Sequence, residues 1–148
     1  TILNADSDKV YSIVSTESSN DGCMSFGYSI KNGKNLYNMS FSNINNIING
    51  EKYFEVNKSQ NICAIYAGTN TSIENSIYKN SQKIVTYKKI SSNAWLSSNL
   101  LIGKSFEGNI SGYNMANVKI NSILIYDRAL NSNEIRQNYL VDKARYNI

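Results

Sequence analysis

Along most of the chain, apolar residues recur at every second position. Val10-Tyr-Ser-Ile-Val, Met24-Ser-Phe-Gly-Tyr-Ser-Ile and Leu36-Tyr-Asn-Met-Ser-Phe each alternate or run apolar for the length of one strand. A period of two matches the pleat of a β-strand, which turns successive side chains to opposite faces. Asn20-Asp-Gly22 and Lys31-Asn-Gly-Lys34 separate these runs. Asn-Gly and Asp-Gly pairs tolerate the positive φ angles of tight hairpins, so the first 42 residues predict a three-stranded meander. A longer polar segment follows, from Asn43 to Gly50.

The second half repeats the pattern. Tyr53-Phe-Glu-Val opens a strand, and Ile62-Cys-Ala-Ile-Tyr-Ala, ended by Gly68, is a short apolar run suited to a core strand. Ser76 to Tyr87 reads as a hairpin turning at Asn80-Ser81, and Leu100-Leu-Ile-Gly and Val118 to Tyr126 are expected to close the sheet. Many short strands with polar turns between them predict two antiparallel sheets packed face to face. One helix stands out near the end, at about 132–143. Asn131-Ser-Asn-Glu134 is a capping box, in which Asn131 accepts from first-turn amides and Glu134 reaches back to the cap amide. Leu130 and Ile135 occupy the staple positions, and Ile135, Tyr139 and Ala144 form a rough apolar face. No repeat, linker or composition break divides the 148 residues, so a single domain is expected. Thr1 stands where a start methionine would, which points to a processed form or to the C-terminal part of a longer chain.

Composition changes this picture little. A hydrophobic fraction of 41% with 18% charged residues is that of a globular domain. The net charge of +4 is spread over single lysines and arginines, with only Lys88-Lys89 adjacent; this suits a solvated surface better than a nucleic-acid stripe. No apolar run is long enough for a membrane span. Asparagine makes up about one residue in six and proline is absent, a bias typical of AT-rich coding. Four Asn-x-Ser triplets, at Asn38, Asn57, Asn70 and Asn109, are about what such a composition yields by chance. Cys23 and Cys63 sit in strand-like stretches and read first as free, buried thiols, with a single bridge open if the chain is secreted. Two cysteines and no histidine cannot form a structural zinc site.

The closing stretch, from Ile102-Gly-Lys through Ile123-Leu-Ile-Tyr-Asp-Arg-Ala-Leu-Asn-Ser-Asn-Glu-Ile-Arg-Gln-Asn-Tyr139, resembles the end of a concanavalin A-like lectin/glucanase domain of laminin-G type. That family closes with a strand, then Tyr-Asn/Asp-Arg-Ala-Leu, then Ser/Thr-x-x-Glu-Ile/Val and an aromatic. The tail Gln137-Asn-Tyr-Leu-Val-Asp-Lys-Ala-Arg-Tyr146 is similar to those of such domains in phage structural and tail proteins. Val10-Tyr-Ser-Ile-Val-Ser and Ser76-Ile-Tyr-Lys-Asn-Ser-Gln-Lys-Ile resemble earlier strands of the family more loosely. The chain departs from the family pattern at Ala116, Val118, Ile120-Asn121 and Asn80-Ser81, and lacks the strand that usually opens the domain. The resemblance implies an all-β, two-sheet antiparallel jelly-roll sandwich with one short C-terminal helix.

The absence of histidine excludes Ser-His-Asp and Cys-His mechanisms. The glucanases of this fold carry Glu-x-Asp-x-x-Glu on one strand, whereas Glu51, Glu55 and Glu107 are isolated here. A non-enzyme is therefore expected. Sugar recognition would use aromatics that stack on pyranose faces beside amides. Trp95, with Asn93 and Asn99, lies in a serine-rich polar loop, and Tyr113-Asn114 follows Gly112 in another; these five residues are the candidate carbohydrate site. Some relatives hold calcium, but Asp6, Asp8 and Asp21 form no spaced cluster, so no cofactor is expected. The expected function is a surface-exposed virion domain, of a phage tail or capsid decoration, for adhesion or glycan recognition. A secreted bacterial lectin-like module and a pure protein-assembly module are the alternatives. Its partner would be a cell-surface glycan or virion protein, neither nucleic acid nor membrane, with homo-oligomers open, and its place a virion surface or the extracellular space.

Overall fold

The computed structural model describes residues 1–3, 10–16, 24–41, 54–69, 72–90, 99–103 and 113–148. Within them the chain is an all-β sandwich of two sheets with one C-terminal helix. The first sheet is built on β1 (Val10–Thr16), β2 (Met24–Lys31) and β3 (Lys34–Phe41), consecutive and antiparallel. The second is the antiparallel meander β4 (Ile62–Thr69), β5 (Ser72–Lys79) and β6 (Gln82–Ile90). β7 (Leu100–Ile102) then returns to the first sheet and lies beside β1, a Greek-key step.

Two of the three expected hairpin turns form at the expected residues, and the third, Asn20-Asp-Gly22, lies outside the described residues. Asn32 and Gly33 take φ of 52° and 71° between β2 and β3; Asn80 and Ser81 take 49° and 64° between β5 and β6. Two positive φ angles in a two-residue turn match the right-handed twist of the flanking strands.

β1 carries a bulge. Ser12 pairs with Gly27 and Val14 with Phe26, so Ile13 is the extra residue. The bulge divides the other edge of β1 in two. β7 takes Val14–Thr16, while β8 (Tyr113–Met115) takes Val10–Ser12 in the parallel sense. The Gly103 amide donates to the Ile13 carbonyl at 2.7 Å and occupies the acceptor that the bulge displaces.

The core between the sheets is aromatic. Tyr11 and Tyr28 pair across β1 and β2 and stack at 4.9 Å, and Tyr37 is the partner of Tyr28 on β3. Phe54 drives its ring edge against Tyr28 at 5.1 Å and tilts against Tyr37 at 5.9 Å. Phe26, stacked on Tyr37, Ile2 and, from the second sheet, Ile77 complete the buried cluster. Polar ends are satisfied as burial requires. The Tyr28 hydroxyl accepts from the Asn117 amide at 3.1 Å, Tyr37 donates to Gln60 Oε1 at 3.0 Å, and Tyr66 donates to the Ser25 carbonyl at 2.6 Å, tying β4 to β2.

Two expectations about strands need correction. Val118 to Tyr126 does not close a sheet. Among the described residues only Val118 forms a bridge, to Ile2, and the rest pairs with neither sheet, with Leu124 and Ile125 60% and 67% exposed. Tyr53-Phe-Glu-Val is likewise no strand among the described residues: Val56 makes a single parallel bridge to Ile2. Both segments flank Ile2: the Asn57 amide donates to the Ile2 carbonyl at 2.8 Å, while on the other side Leu3 donates to the Asn117 carbonyl and Lys119 to the Thr1 carbonyl.

The helix α1 (Ser132–Tyr146) runs one turn beyond the expected end, to a left-handed cap at Asn147. Its capping box is present as read: Asn131 Oδ1 accepts from the Asn133 and Glu134 amides at 2.9 and 3.1 Å, and Glu134 accepts from the Asn131 amide at 2.8 Å. The sequence reading missed Arg128, which grips both oxygens of Glu134 at 2.7 and 2.9 Å. Of the expected apolar face, Ile135 is fully buried and Tyr139 half-buried, but Ala144 is exposed. The helix therefore docks by its first turn and by Asp142, which accepts from Asn61 at 2.8 Å.

The Arg128 guanidinium and the Asn131 amide hold the Glu134 carboxyl down from 4.5 to about 2. A carboxylate depressed by folding contributes stability that is present above its unfolded value and lost as pH falls through its folded one. The stability difference between the native chain and Glu134→Gln is thus expected to persist at neutral pH and to shrink between about pH 4.5 and pH 2. Thermal melts of both proteins across that range check it; a difference that stays constant down to pH 2 would contradict the clamp.

Candidate functional site

Where the two sheets part, a cavity of about 870 Å³ opens. β4 forms one wall through Ile62, Ala64 and Tyr66, and residues 118–130 form the other. Ile13, Phe26 and Tyr37 of the first sheet lie behind it, and Ile135 and Tyr146 of α1 reach it from the helix. The size falls in the usual range for small-ligand sites, and the pattern of apolar walls with a few polar groups is also usual there.

The polar groups come from one corner. Gln60 Nε2 donates to the Glu55 carbonyl at 2.7 Å while its Oε1 accepts from Tyr37. Asn61 exchanges bonds with Asn80 of the β5–β6 turn (amide to Oδ1 at 3.1 Å, and carbonyl from the Asn80 amide at 2.9 Å) and donates from its side chain to Asp142. Asn138 donates to the Tyr126 hydroxyl at 2.9 Å. One end of β4, the β5–β6 turn and the helix are thus joined by amides, side by side with the apolar walls.

Electrostatics here are quiet. Burial pushes the Tyr37 phenol far up, helped by the Glu55 carboxylate, so it stays a neutral donor. Burial also raises the Cys63 thiol, which leaves little thiolate at neutral pH. Cys63 is half-buried and free; Cys23, its candidate bridge partner, lies outside the described residues. Glu55 is exposed and lies below the ordinary carboxylate range because Lys58 bonds it, with Lys79 adding to the effect. Among the described residues no three His, Cys, Asp or Glu side chains gather as metal ligands, and no helix is long and apolar enough to cross a membrane.

The candidate carbohydrate residues divide. Trp95 and Asn93 lie outside the described residues, as do Asp6, Asp8, Asp21, Glu51 and Glu107. Asn99 is exposed immediately before β7, beyond the Thr16 end of β1. Tyr113 and Asn114 belong to β8 rather than to a loop, paired with Val10 and Tyr11. Val10 and Thr16 lie six residue steps apart on β1, about 20 Å of strand, so Asn99 and the Tyr113-Asn114 pair do not share one cluster. The groove itself was not anticipated. Its signal lay in the polar run Asn57 to Asn61 leading into an apolar strand, but that run reads equally as a turn.

Fold and groove together define a β-sandwich domain with an amide-rimmed apolar cleft. No protein-family model matches the chain, and no curated protein does. Among solved structures it is similar to the 2.1 Å crystal structure of an S-layer domain-containing protein (residues 221–444) from Clostridium thermocellum ATCC 27405. The two share 19% identity over 94% of this chain and 67% of that one, with a TM-score of 0.46.

Proposed function

We propose that this chain is a non-enzymatic adhesion domain, displayed on the outside of a particle or cell, that recognises a glycan. The observation that carries the binding reading is the apolar groove with Asn61 and Asn138 at its rim, beside a Gln60 amide that Tyr37, Glu55 and Lys58 already take up. Side-chain amides supply both donors and acceptors for hydroxyl groups, and apolar walls accept the carbon face of a sugar ring. The carboxylates that line it are Asp127 and Asp142, and Asp142 is already bonded by Asn61, which supports a non-catalytic role. The phage-like tail motif favours a virion surface; a secreted lectin-like module is the alternative reading.

A glycan array with the intact chain tests this reading, and Trp95→Ala sharpens it. If the Ser91–Ser98 loop contributes a stacking platform, the variant loses glycan retention while its melting point stays within a few degrees, since surface changes cost under about 0.5 kcal/mol. A variant destabilised by about 3–5 kcal/mol would instead identify Trp95 as a packing residue. No retention of any glycan by the native chain would reject the sugar reading and leave assembly in its place.

A further inference from the structure

We propose that Tyr126 is the stacking platform of the groove, and that the sugar it selects is a pyranose whose ring substituents are all equatorial. This platform deepens the adhesion reading above, on which it rests, by naming a residue and a class of sugar.

Most described tyrosines already have their rings occupied. Tyr11 and Tyr28 stack on each other, and Phe54 packs against Tyr28 and Tyr37. Lys83 lies over Tyr78, Lys143 over Tyr139 and Arg145 over Tyr146. Tyr126 differs. It lines the groove, it is 44% exposed, and no ring or cation among the described residues lies over it.

The ring is also held in place. Its hydroxyl accepts from Asn138 Nδ2 at 2.9 Å. Two residues further on, Arg128 grips Glu134 in the first turn of α1, and the fully buried Ile135 anchors that turn. An aromatic fixed before the ligand arrives gives up little freedom on binding, which is what a platform requires.

The same helix supplies the polar edge. Asn138 and Asp142 stand four residues apart, on one face of α1 and about 6 Å apart along its axis. Asp142 accepts from the Asn61 side chain at 2.8 Å. Among the described residues nothing donates to the side-chain oxygens of Asn61 or Asn138, so both remain as acceptors for hydroxyl groups.

This arrangement selects among sugars. When every substituent is equatorial, the hydroxyls leave from the ring edge and both faces carry only C–H bonds. One face can then lie on Tyr126 while hydroxyls at the edge donate to the amides. An axial oxygen would stand between the two rings and lose its water without gaining a partner.

Titration of the intact chain with β-linked glucose oligomers, followed by proton NMR of the sugar, tests the assignment. The native chain should move the axial C–H resonances upfield, through the ring current of the tyrosine beneath them. It should bind α-linked mannose oligomers, whose axial oxygens obstruct both faces, about tenfold more weakly or worse. Tyr126→Ala should weaken glucose-oligomer binding by about tenfold and remove the upfield shift, with the melting point within a few degrees. Tyr126→Leu keeps apolar bulk at the site and should fail in the same way, whereas Tyr126→Phe keeps the ring and should retain most of the shift. Undiminished binding and shift in the folded alanine or leucine variant would overturn the platform and leave the adhesion reading standing. A native chain that holds mannose oligomers as well as glucose oligomers, or that retains only other glycans, would overturn the class of sugar. A native chain that retains no glycan at all overturns both readings together.

Discussion

Replacing Gly27 by alanine is expected to destabilise the domain by about 3 kcal/mol or more, enough to unfold a marginal protein at moderate temperature. Gly27 lies on β2 opposite Ser12, at the point where the Ile13 bulge throws β1 out of register. A Cβ built on Gly27 would fall on the Tyr11 carbonyl oxygen, with the Tyr11 carbonyl carbon at 2.8 Å and Ser12 Cα at 3.0 Å. All three are backbone atoms, so no side-chain rotation can relieve the overlap. β1 would have to move away from β2, and β1 also carries β7 and β8 on its other edge. Urea unfolding of Gly27→Ala against the native chain measures the cost. Gly33→Ala is the control: it sits at φ 71° with open space around it, so its cost is the conformational one alone, about 1–2 kcal/mol. Equal losses for the two variants would show that close approach at the bulge is not what Gly27 provides.

Phe54→Ala is expected to cost about 3–5 kcal/mol, the range for truncating a buried aromatic. Phe54 is 1% exposed and touches both tyrosine rings at the centre of the first sheet. Its own backbone is held, since Asn35 Nδ2 donates to the Phe54 carbonyl at 3.0 Å, so the chain cannot easily collapse into the space left behind. Phe54→Leu keeps most of the volume and should cost distinctly less. Near-ultraviolet circular dichroism adds a second readout, because Tyr28 and Tyr37 lose the ring that fixes them. A loss below about 1 kcal/mol for Phe54→Ala, with an unchanged tyrosine signal, would place Phe54 outside the core.

Most local structure was readable from the residues themselves. Asn32-Gly33 and Asn80-Ser81 turn where their tolerance of positive φ says they should. Asn131 and Glu134 cap α1 as a box read directly from their spacing. These features depend on atoms a few residues apart, and the sequence specifies such neighbours completely. The alternation in β2 likewise names its inward face, Phe26, Tyr28 and Ile30, without reference to any other strand.

Partnership between distant segments was decided only by the tertiary structure. Val118 to Tyr126 has the apolar content of a closing strand, yet a strand exists only where another edge takes its backbone groups, and among the described residues only Val118, bridged to Ile2, and Lys119, which donates to the Thr1 carbonyl, find one. Tyr113-Asn114 reads as a loop because three residues show no period, and becomes β8 because the bulge in β1 leaves Val10–Ser12 open. Phe54 lies in a run that makes no strand among the described residues, but it still enters the core by packing its ring against both Tyr28 and Tyr37. The groove follows from the same cause: its walls come from β4 and from residues 118–130, more than fifty positions away, and no local pattern records that they face each other. Composition and period determine what each segment can bury, while the competition among edges for hydrogen-bond partners determines which of them meet.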